Sequence, residues 1–171
     1  MSQFKDSMVP FITAEEIQEM VTELAMDIER DYEGKELVLI CPLKGSFLFV
    51  SDLMRKISLP VKVDFVHVTS PKGESVRILK DINTNIKGQH VLIIEEIIDA
   101  GRTLKFLFDR LLLSDPASLK IVTLLDKPAR RELPVKPDYT GRTIDDRFVI
   151  GYGMDSEEVG RNYKDIFNFA Q

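Results

Sequence analysis

Residues 91–104, with the sequence VLIIEEIIDAGRTL, bring three carboxylates to the end of a run of aliphatic residues. Glu95 and Glu96 are adjacent, and Asp99 follows after two apolar residues. Carboxylates repel one another, and their removal from water costs free energy, so a place beside a buried strand needs an explanation. Either these acids are fully solvated and have no special role, or a cation or a hydroxyl-rich molecule binds there.

The residues that follow Asp99 favour an anion site. Gly101 and Thr103 lie between a predicted strand and a predicted helix, where backbone N–H groups have no partner within the helix. Such a helix N-terminus binds phosphate. Glu95 and Glu96, just upstream, can accept hydrogen bonds from hydroxyls or attract Mg²⁺. The combination suits a phosphorylated ribose, although the turn alone is equally compatible with an ordinary strand-to-helix connection.

Other common nucleotide and catalytic motifs do not occur in the sequence. There is no G-x-G-x-x-G, no G-x-x-x-x-G-K-[ST] and no G-x-S-x-G motif. His67 and His90 lack the spacing of a metal-binding pair. The single cysteine, Cys41, excludes an internal disulfide and a multi-cysteine zinc site. We expect Cys41 to be a buried, inert thiol, which fits a reducing cytoplasm.

The composition is that of an ordinary globular protein. The chain has 171 residues, of which 44% are hydrophobic and 30% charged, and this predicts one domain over residues 1–171. The net charge of −5, with basic residues scattered among acids, argues against a nucleic-acid partner. No apolar run approaches the length of a membrane span, and the first residues lack the pattern of a signal peptide. We therefore expect a cytoplasmic protein with no membrane partner.

Alternating strand and helix patterns predict the fold that positions these residues. A capping box, Thr13 to Glu16, begins an amphipathic helix that ends near Gly34. Two further helical patterns cover residues 47–57 and 104–113. Apolar runs predict strands at residues 37–41, 61–68, 75–79, 91–94, 118–125 and 146–153. This order predicts a mainly parallel sheet, in which ligands bind at the carboxyl ends of the strands, where the acids lie.

Four segments, in this order along the chain, resemble motifs of the purine phosphoribosyltransferases, in particular the hypoxanthine–guanine group. Residues 91–104 resemble the signature that binds phosphoribosyl pyrophosphate, and PLKGS (42–46) resembles the pyrophosphate loop. LLDKPARR (124–131) resembles the purine-contacting lysine segment, and RFVIGYGMD (147–155) the base-stacking segment. The resemblance spans about residues 37–161. It implies the α/β, type I phosphoribosyltransferase fold: a mainly parallel central sheet flanked by helices, with a small hood subdomain formed by the N- and C-terminal segments.

The reaction implied by the resemblance is transfer of a 5-phosphoribosyl group. A 6-oxopurine, hypoxanthine or guanine, would attack C1 of phosphoribosyl pyrophosphate, and the products would be IMP or GMP and pyrophosphate. Asp99 would be the general base, the alternative being that it only caps the following helix. Glu95 and Glu96 would bind the ribose hydroxyls directly or through Mg²⁺, and Asp155 would be associated with a second Mg²⁺.

The resemblance also assigns residues to the phosphate groups. Lys44 and Gly45 would bind the pyrophosphate, following a cis peptide between Leu43 and Lys44, and Arg161 would lie near the same group. Without the other motifs, Lys44 and Gly45 would be read as a simple turn. The seat for the ribose phosphate would be formed by Asp99, Ala100, Gly101, Arg102 and Thr103.

Three residues would recognise the purine. Lys127 would donate to O6 and N7 of the base, which selects 6-oxopurines over adenine. Phe148 would stack on the ring, and the backbone of Val149 would contact its edge. Taken alone, Phe148 would be read as a core aromatic residue of an edge strand. Lys127, Arg130 and Arg131 would otherwise be read as a solvated cluster of charges.

The sequence departs from the family pattern at three places. Glu96 replaces the usual Asp, and Ala100 replaces the usual Thr, which removes a hydroxyl from the phosphate seat. Because a hydrogen bond to a charged group contributes roughly 1.5–3 kcal/mol, weaker binding of the ribose phosphate is expected. The segment after Val68 is shorter than the family's lid and carries Ser70-Pro71, so water should be excluded less well.

These departures leave a second function open, that of a phosphoribosyl-pyrophosphate sensor with weak turnover. The resemblance further suggests a homodimer or a homotetramer, and the sequence does not decide between them. It also leaves open the preference among hypoxanthine, guanine and xanthine.

Overall fold

The computed structural model describes residues 8–70 and 75–169. The helices are α1 (Ala14–Asp31), α2 (Phe47–Met54) and α3 (Arg102–Leu112), with a 3₁₀ helix at Pro128–Arg130. The strands are β1 (Met8–Ile12), β2 (Leu37–Pro42), β3 (Val61–Thr69), β4 (Arg77–Lys80), β5 (His90–Ile98), β6 (Ser118–Asp126), β7 (Tyr139–Thr143), β8 (Val149–Ile150) and β9 (Ile166–Phe169).

The central sheet has six strands in the order β4-β3-β2-β5-β6-β7. All neighbouring strands in it are parallel except β3 and β4. The middle strands carry near-continuous runs of buried aliphatic residues, as expected for strands covered on both faces. The predicted mainly parallel sheet is therefore confirmed. A second, antiparallel sheet joins strands from the two ends of the described chain in the order β1-β9-β8.

The helices cover opposite faces of the central sheet. Buried residues of α1 and α2 pack in one cluster with Leu39 and Ile94, whereas α3 packs in another cluster with Ile40 and Ile93. Helix α1 begins with the predicted capping box: the Thr13 hydroxyl accepts from the backbone N–H of Glu16. The Glu16 carboxylate in turn accepts from the Thr13 N–H at 2.8 Å.

Several predicted boundaries were wrong. Strand β5 continues to Ile98 because its pairing with β6 continues to Asp126, so the two glutamates lie within the strand instead of after it. Helix α3 begins at Arg102, not at residue 104, and ends at Leu112; α2 ends at Met54, not at residue 57. The strand predicted at 146–153 is reduced to two residues, since a turn with three consecutive positive φ angles follows Ile150.

Three strands, β1, β7 and β9, were not predicted. They lie at sheet edges or in the small second sheet, and short edge strands with polar residues carry a weak apolar pattern. The predicted Ser70-Pro71 pair is only partly described, since Pro71 lies outside the described residues. Within residues 8–70 and 75–169, no helix has the length and apolar character that crossing a membrane requires.

Cys41 has the buried environment that was predicted. It lies in β2 and is completely buried in the core cluster beneath α1 and α2. Burial, together with the negative charges of Glu95 and Asp64, raises the pKa of the thiol far above its usual range. Since the thiolate is the nucleophilic form, this cysteine is inert.

Asp64 in β3 anchors the segment that follows β4. One of its carboxylate oxygens accepts hydrogen bonds from the backbone N–H groups of Asn83 and Thr84, at 2.6 and 2.8 Å. The other accepts from the N–H of Phe65 and from Lys80 Nζ. Burial tends to raise the pKa of Asp64, but the backbone donors outweigh it and lower the pKa to about 2.

The first prediction concerns this anchor. Because the pKa of Asp64 lies below its unfolded value, the stabilisation is complete above about pH 4 and is lost as the pH falls toward 2. We expect Asp64→Asn to reduce the free energy of unfolding by about 2 kcal/mol at pH 7 and by much less near pH 2. Denaturant unfolding at several pH values measures this. The control is Asp109→Asn, which removes only an exposed ion pair with Lys105; equal stability of Asp64→Asn and wild type at pH 7 contradicts the prediction.

Candidate functional site

A cavity of about 570 Å³ opens at the carboxyl ends of β2 and β5. Its walls are the loop after β2, the end of β3, the end of β5 with the turn into α3, and parts of the segments after β6 and β8. Among the residues predicted for the site, eleven line this cavity: Lys44, Gly45, Glu95, Glu96, Asp99, Ala100, Gly101, Arg102, Thr103, Asp155 and Arg161. The cavity thus combines segments that are far apart in sequence.

Glu95 and Glu96, called here the acidic pair, both reach the cavity because the alternation of β5 is interrupted at them. Before the pair, Ile94 packs on the face of α1 and α2, and Ile93 on the face of α3. After the pair the order is reversed, with Ile97 on the first face and Ile98 on the second. A regular strand would place residues 94, 96 and 98 on one face.

Burial raises the pKa of both members of the acidic pair. For Glu95, burial is the largest cause, and the charge of Glu96 and the hydrogen bond between the two carboxyls raise the pKa further, well above 4.5. For Glu96, burial outweighs the opposing effect of the Arg161 charge and raises the pKa to about 7. The pair therefore retains a proton near neutral pH and gains from a cation or a hydroxyl donor.

Asp99 does not cap the helix that follows it. The N-cap of α3 is Gly101, at φ +82°, and no side chain caps the helix there. The Asp99 carboxylate instead accepts from Nε of Arg130 at 3.0 Å, while its backbone carbonyl accepts from Arg131. The first N–H groups of α3 have no partners within the helix because they begin it, and Gly101, Arg102 and Thr103 all line the cavity.

The loop after β2 forms the opposite wall. The Leu43–Lys44 peptide is cis, in agreement with the family resemblance. The hydroxyl of Ser46, which is fully buried, donates to the carbonyl of Pro42 across the loop at 2.5 Å. Lys44 Nζ forms an ion pair of 2.7 Å with Glu158, in which both side chains are about half exposed.

Arg161 links the cavity to the turn after β8. Its guanidinium pairs with Asp155 at 2.7 Å and donates through Nη1 to the carbonyl of Gly153 at 2.8 Å. Its Nε is buried and has no hydrogen-bond partner in the described part of the chain. A buried donor without a partner is costly, so an acceptor that reaches this nitrogen would be stabilised.

The three residues predicted to recognise the purine lie outside the walls of this cavity. Lys127 is buried, and its backbone N–H donates to the carbonyl of Ile98. Phe148 is 55% exposed, and its ring lies 5.4 Å from the ring of Phe169. Val149 is buried in β8.

Arg130 connects the cavity with the segment that carries Phe148. It lines the cavity beside Asp99, and its Nε lies 3.6 Å from Asp146, two residues before Phe148. Arg130 therefore has both the Asp99 carboxylate and the Asp146 carboxylate as partners.

Several cavity residues were not predicted for the site, among them Ser70, Arg130 and Glu132. Arg130 and Glu132 follow β6 at the same sheet edge, and that position was the available signal for them. Glu132 pairs with Arg102 at the start of α3. Glu158, the partner of Lys44, lies 114 residues away in sequence, and nothing in the sequence pattern links the two.

The acidic pair fits Mg²⁺, because two adjacent carboxyls with raised pKa values lose their mutual repulsion when a divalent cation binds. Asp155 is held by Arg161, so it would have to exchange that partner. In residues 8–70 and 75–169, no group of three or more His, Cys, Asp and Glu side chains is arranged to hold a metal ion. A magnesium ion there would need oxygen ligands from substrate phosphates and water.

Comparisons with known proteins agree over nearly the whole chain. The model of the phosphoribosyl transferase domain family matches residues 13–157, which include all four motifs. The chain is 43% identical over 159 residues to the hypoxanthine phosphoribosyltransferase of Haemophilus influenzae, covering 88% of this chain and 89% of that protein. It is also 43% identical over 156 residues to the hypoxanthine-guanine phosphoribosyltransferase of Staphylococcus aureus strain Mu50, covering 88% and 87%.

A solved structure gives the same result. The crystal structure of a hypoxanthine-guanine phosphoribosyltransferase from Bacillus anthracis, with a HEPES molecule in its active site, is 45% identical in sequence. Its TM-score is 0.91, and the match covers 95% of this chain and 97% of that one.

The second prediction concerns the acidic pair without ligand or metal. Because the pKa of Glu96 is raised above its unfolded value of 4.5, the stability contributed by its protonated form is lost as the pH rises from about 4.5 to about 7. We expect Glu96→Gln, which cannot ionise, to melt at a higher temperature than wild type at pH 8. The melting temperature should rise by about 2–4 °C for each kcal/mol gained in the free energy of unfolding.

Thermal unfolding in a chelator at pH 5 and pH 8 measures this difference, which should close at pH 5. The matched control is Glu132→Gln, an exposed glutamate on the rim of the same cavity. A difference of equal size at both pH values contradicts the raised pKa.

Proposed function

This chain belongs to the phosphoribosyltransferase family, and we propose that it is a purine-salvage enzyme. It transfers the 5-phosphoribosyl group from phosphoribosyl pyrophosphate to hypoxanthine or guanine, giving IMP or GMP and pyrophosphate. The observation that carries this proposal is one cavity that combines the acidic pair, Asp99 and the N-terminus of α3. The relatives named above are transferases of this kind, so the alternative of a sensor with weak turnover is not favoured.

The phosphate of the ribose binds at the start of α3. Backbone N–H groups of the first turn have no partners within the helix, and the helix dipole adds positive potential there. Gly101 lets the chain turn closely around an anion, and Thr103 adds a hydroxyl. The acidic pair, six and seven residues before the start of α3, is placed to accept hydrogen bonds from the ribose hydroxyls of the same molecule.

Asp99 acts as the general base. As the bond between N9 and C1 forms, the purine becomes more acidic, and the carboxylate of Asp99 takes the proton from N7. In the structure Asp99 is paired with Arg130, so the purine must replace that contact. Arg130 also lies within 3.6 Å of Asp146 and thus keeps a carboxylate partner when Asp99 turns to the purine.

The leaving pyrophosphate is bound between the loop after β2 and Arg161. Lys44 and Arg161 both line the cavity and supply positive charge where negative charge develops. Glu95, Glu96 and Asp155 would hold Mg²⁺, which supplies further stabilisation of that charge when bound.

Lys127 selects the base. Its ammonium group, next to the segment that carries Phe148, donates to O6 of a 6-oxopurine. Adenine presents an amino donor at that position, which would leave two donors facing each other. A site built to pair with a substrate group rejects the analogue that lacks it by several orders of magnitude, about 10⁴ or more.

The remaining features of the proposal concern the assembly of the protein and its location. We expect a single domain in which β1, β8 and β9 form the hood over the cavity, and a homodimer or homotetramer in solution. A cytoplasmic location fits the buried, unpaired Cys41.

The third prediction tests the function itself. With Mg²⁺ and phosphoribosyl pyrophosphate, hypoxanthine and guanine should be converted to IMP and GMP, whereas adenine should give no product because of Lys127. Product formation with hypoxanthine, guanine, xanthine and adenine, followed by chromatography, measures this. Absence of nucleotide with all four bases contradicts the proposal.

The fourth prediction tests the role of Asp99. Asp99→Asn keeps the hydrogen-bonding shape of the side chain but cannot take a proton, so kcat should fall by about 10²-fold or more. Binding of phosphoribosyl pyrophosphate, measured by calorimetry, should be retained. Asp109→Asn, in α3 and outside the lining of the cavity, is the control and should keep its rate. An Asp99→Asn variant with full activity shows that another group is the base.

A further inference from the structure

We propose that Gly153 is a positioning residue for the pyrophosphate loop, defined as residues 43–46, and that it acts by having no side chain. The inference rests on the proposed function, because it concerns the leaving group of the same reaction. It assigns to the turn after β8 a part in placing the phosphate-binding backbone. The turn, defined as residues 151–154, does not itself line the cavity.

The turn and the loop touch through their backbones. Gly153 has φ +96°, and a Cβ atom built on it would overlap the carbonyl oxygen of Gly45. The main chain of the loop therefore lies directly against Gly153, in space that any other residue would fill. Only glycine permits both this conformation and this approach.

Gly45 is confined on its other side as well. A Cβ atom on Gly45 would overlap the carboxylate of Glu96. Gly45 thus lies between Gly153, where it meets backbone, and the Glu96 carboxylate, which is the end of a side chain. The pyrophosphate loop lies between the turn and the acidic pair, and contacts with both of them determine its position.

The turn is too firmly held to give way to a side chain at Gly153. The N–H of Gly153 donates to the carbonyl of Arg161 at 2.9 Å, and its carbonyl accepts from Arg161 Nη1. The hydroxyl of Tyr152 donates to Asp52 at 2.7 Å. Asp52 lies on α2, the helix that begins directly after the loop, so the turn is fixed to the same support as the loop.

A side chain at Gly153 must therefore displace the loop. Displacement by the size of a methyl group, about 1 Å, is enough to cost about 10²-fold when it separates a binding group from its reacting partner. The phosphate seat is at the start of α3, whereas the three atoms nearest to a Cβ built on Gly153 all belong to Gly45. Pyrophosphate binding should therefore be weakened more than nucleotide binding.

A matched control is available in the same chain. Gly34 has φ +72°, and a Cβ atom on it would meet no atom within 4 Å. Gly34→Ala thus introduces the backbone strain of a left-handed alanine without any contact. Comparison of the two variants therefore distinguishes the effect of backbone strain from the effect of displacing the pyrophosphate loop.

The experiment compares wild type, Gly153→Ala and Gly34→Ala by calorimetry with pyrophosphate and Mg²⁺, and separately with IMP and Mg²⁺. We expect Gly153→Ala to weaken pyrophosphate binding by about 10- to 100-fold and to weaken IMP binding much less, because IMP reaches the loop only indirectly, through Glu96. In steady-state assays KM for phosphoribosyl pyrophosphate should rise, while KM for hypoxanthine stays the same. Gly34→Ala should bind both ligands as wild type does.

The proposal is overturned if Gly153→Ala binds pyrophosphate normally, or if both ligands are weakened to the same extent. Should Gly153→Ala fail to fold, Tyr152→Phe decides, since it removes the bond to Asp52 and adds no atom. That variant should weaken pyrophosphate binding more than IMP binding, and an unchanged affinity for pyrophosphate overturns the proposal. If wild type binds neither ligand, the proposed function and the role of Gly153 are both wrong. If wild type binds both ligands, the experiment tests only the role of Gly153.

Discussion

The site depends on a difference in length between two neighbouring strands. Pairing of β2 with β5 ends at Ile40 and Ile93, whereas pairing of β5 with β6 continues to Ile98 and Asp126. Strand β5 therefore extends beyond its neighbour on one side, and a notch opens in the sheet. The acidic pair lies in this notch, and the loop after β2 closes its side. Parallel sheets bind ligands at such edges because strand ends supply side chains and helices supply free N–H groups.

Burial of the acidic pair has an electrostatic consequence. The two carboxyls repel each other in a partly dry place, and their pKa values rise. The free protein thus holds a group that is more stable when a cation or a hydroxyl donor is present. The folding free energy of the surrounding sheet holds the two carboxyls together despite their repulsion, since both lie on a buried strand.

In the described part of the chain, the four cations that line the cavity each have a carboxylate partner. Lys44 pairs with Glu158, Arg130 with Asp99, Arg102 with Glu132, and Arg161 with Asp155. Three of these pairs are about half exposed, and exposed pairs contribute roughly 0–1 kcal/mol each. An anionic donor can therefore exchange them at low cost. Arg161 and Asp155 form the more buried pair. Because Arg161 also donates a hydrogen bond to the carbonyl of Gly153, an exchange of partners at Arg161 would affect the turn that contacts the pyrophosphate loop.

The sequence by itself determined the parallel α/β sheet, the three helices, the four motifs and most of the residues that line the cavity. These follow from local patterns: runs of buried aliphatic residues, a capping box, and short segments whose order identified the family. It did not predict β1, β7 or β9, whose pairing depends on distant segments. Only the tertiary structure decided that the Asp99 carboxylate pairs with Arg130, that Lys44 meets Glu158, and that Gly45 lies between Gly153 and Glu96. Such contacts join residues far apart in the chain, and no local pattern encodes the distance between them.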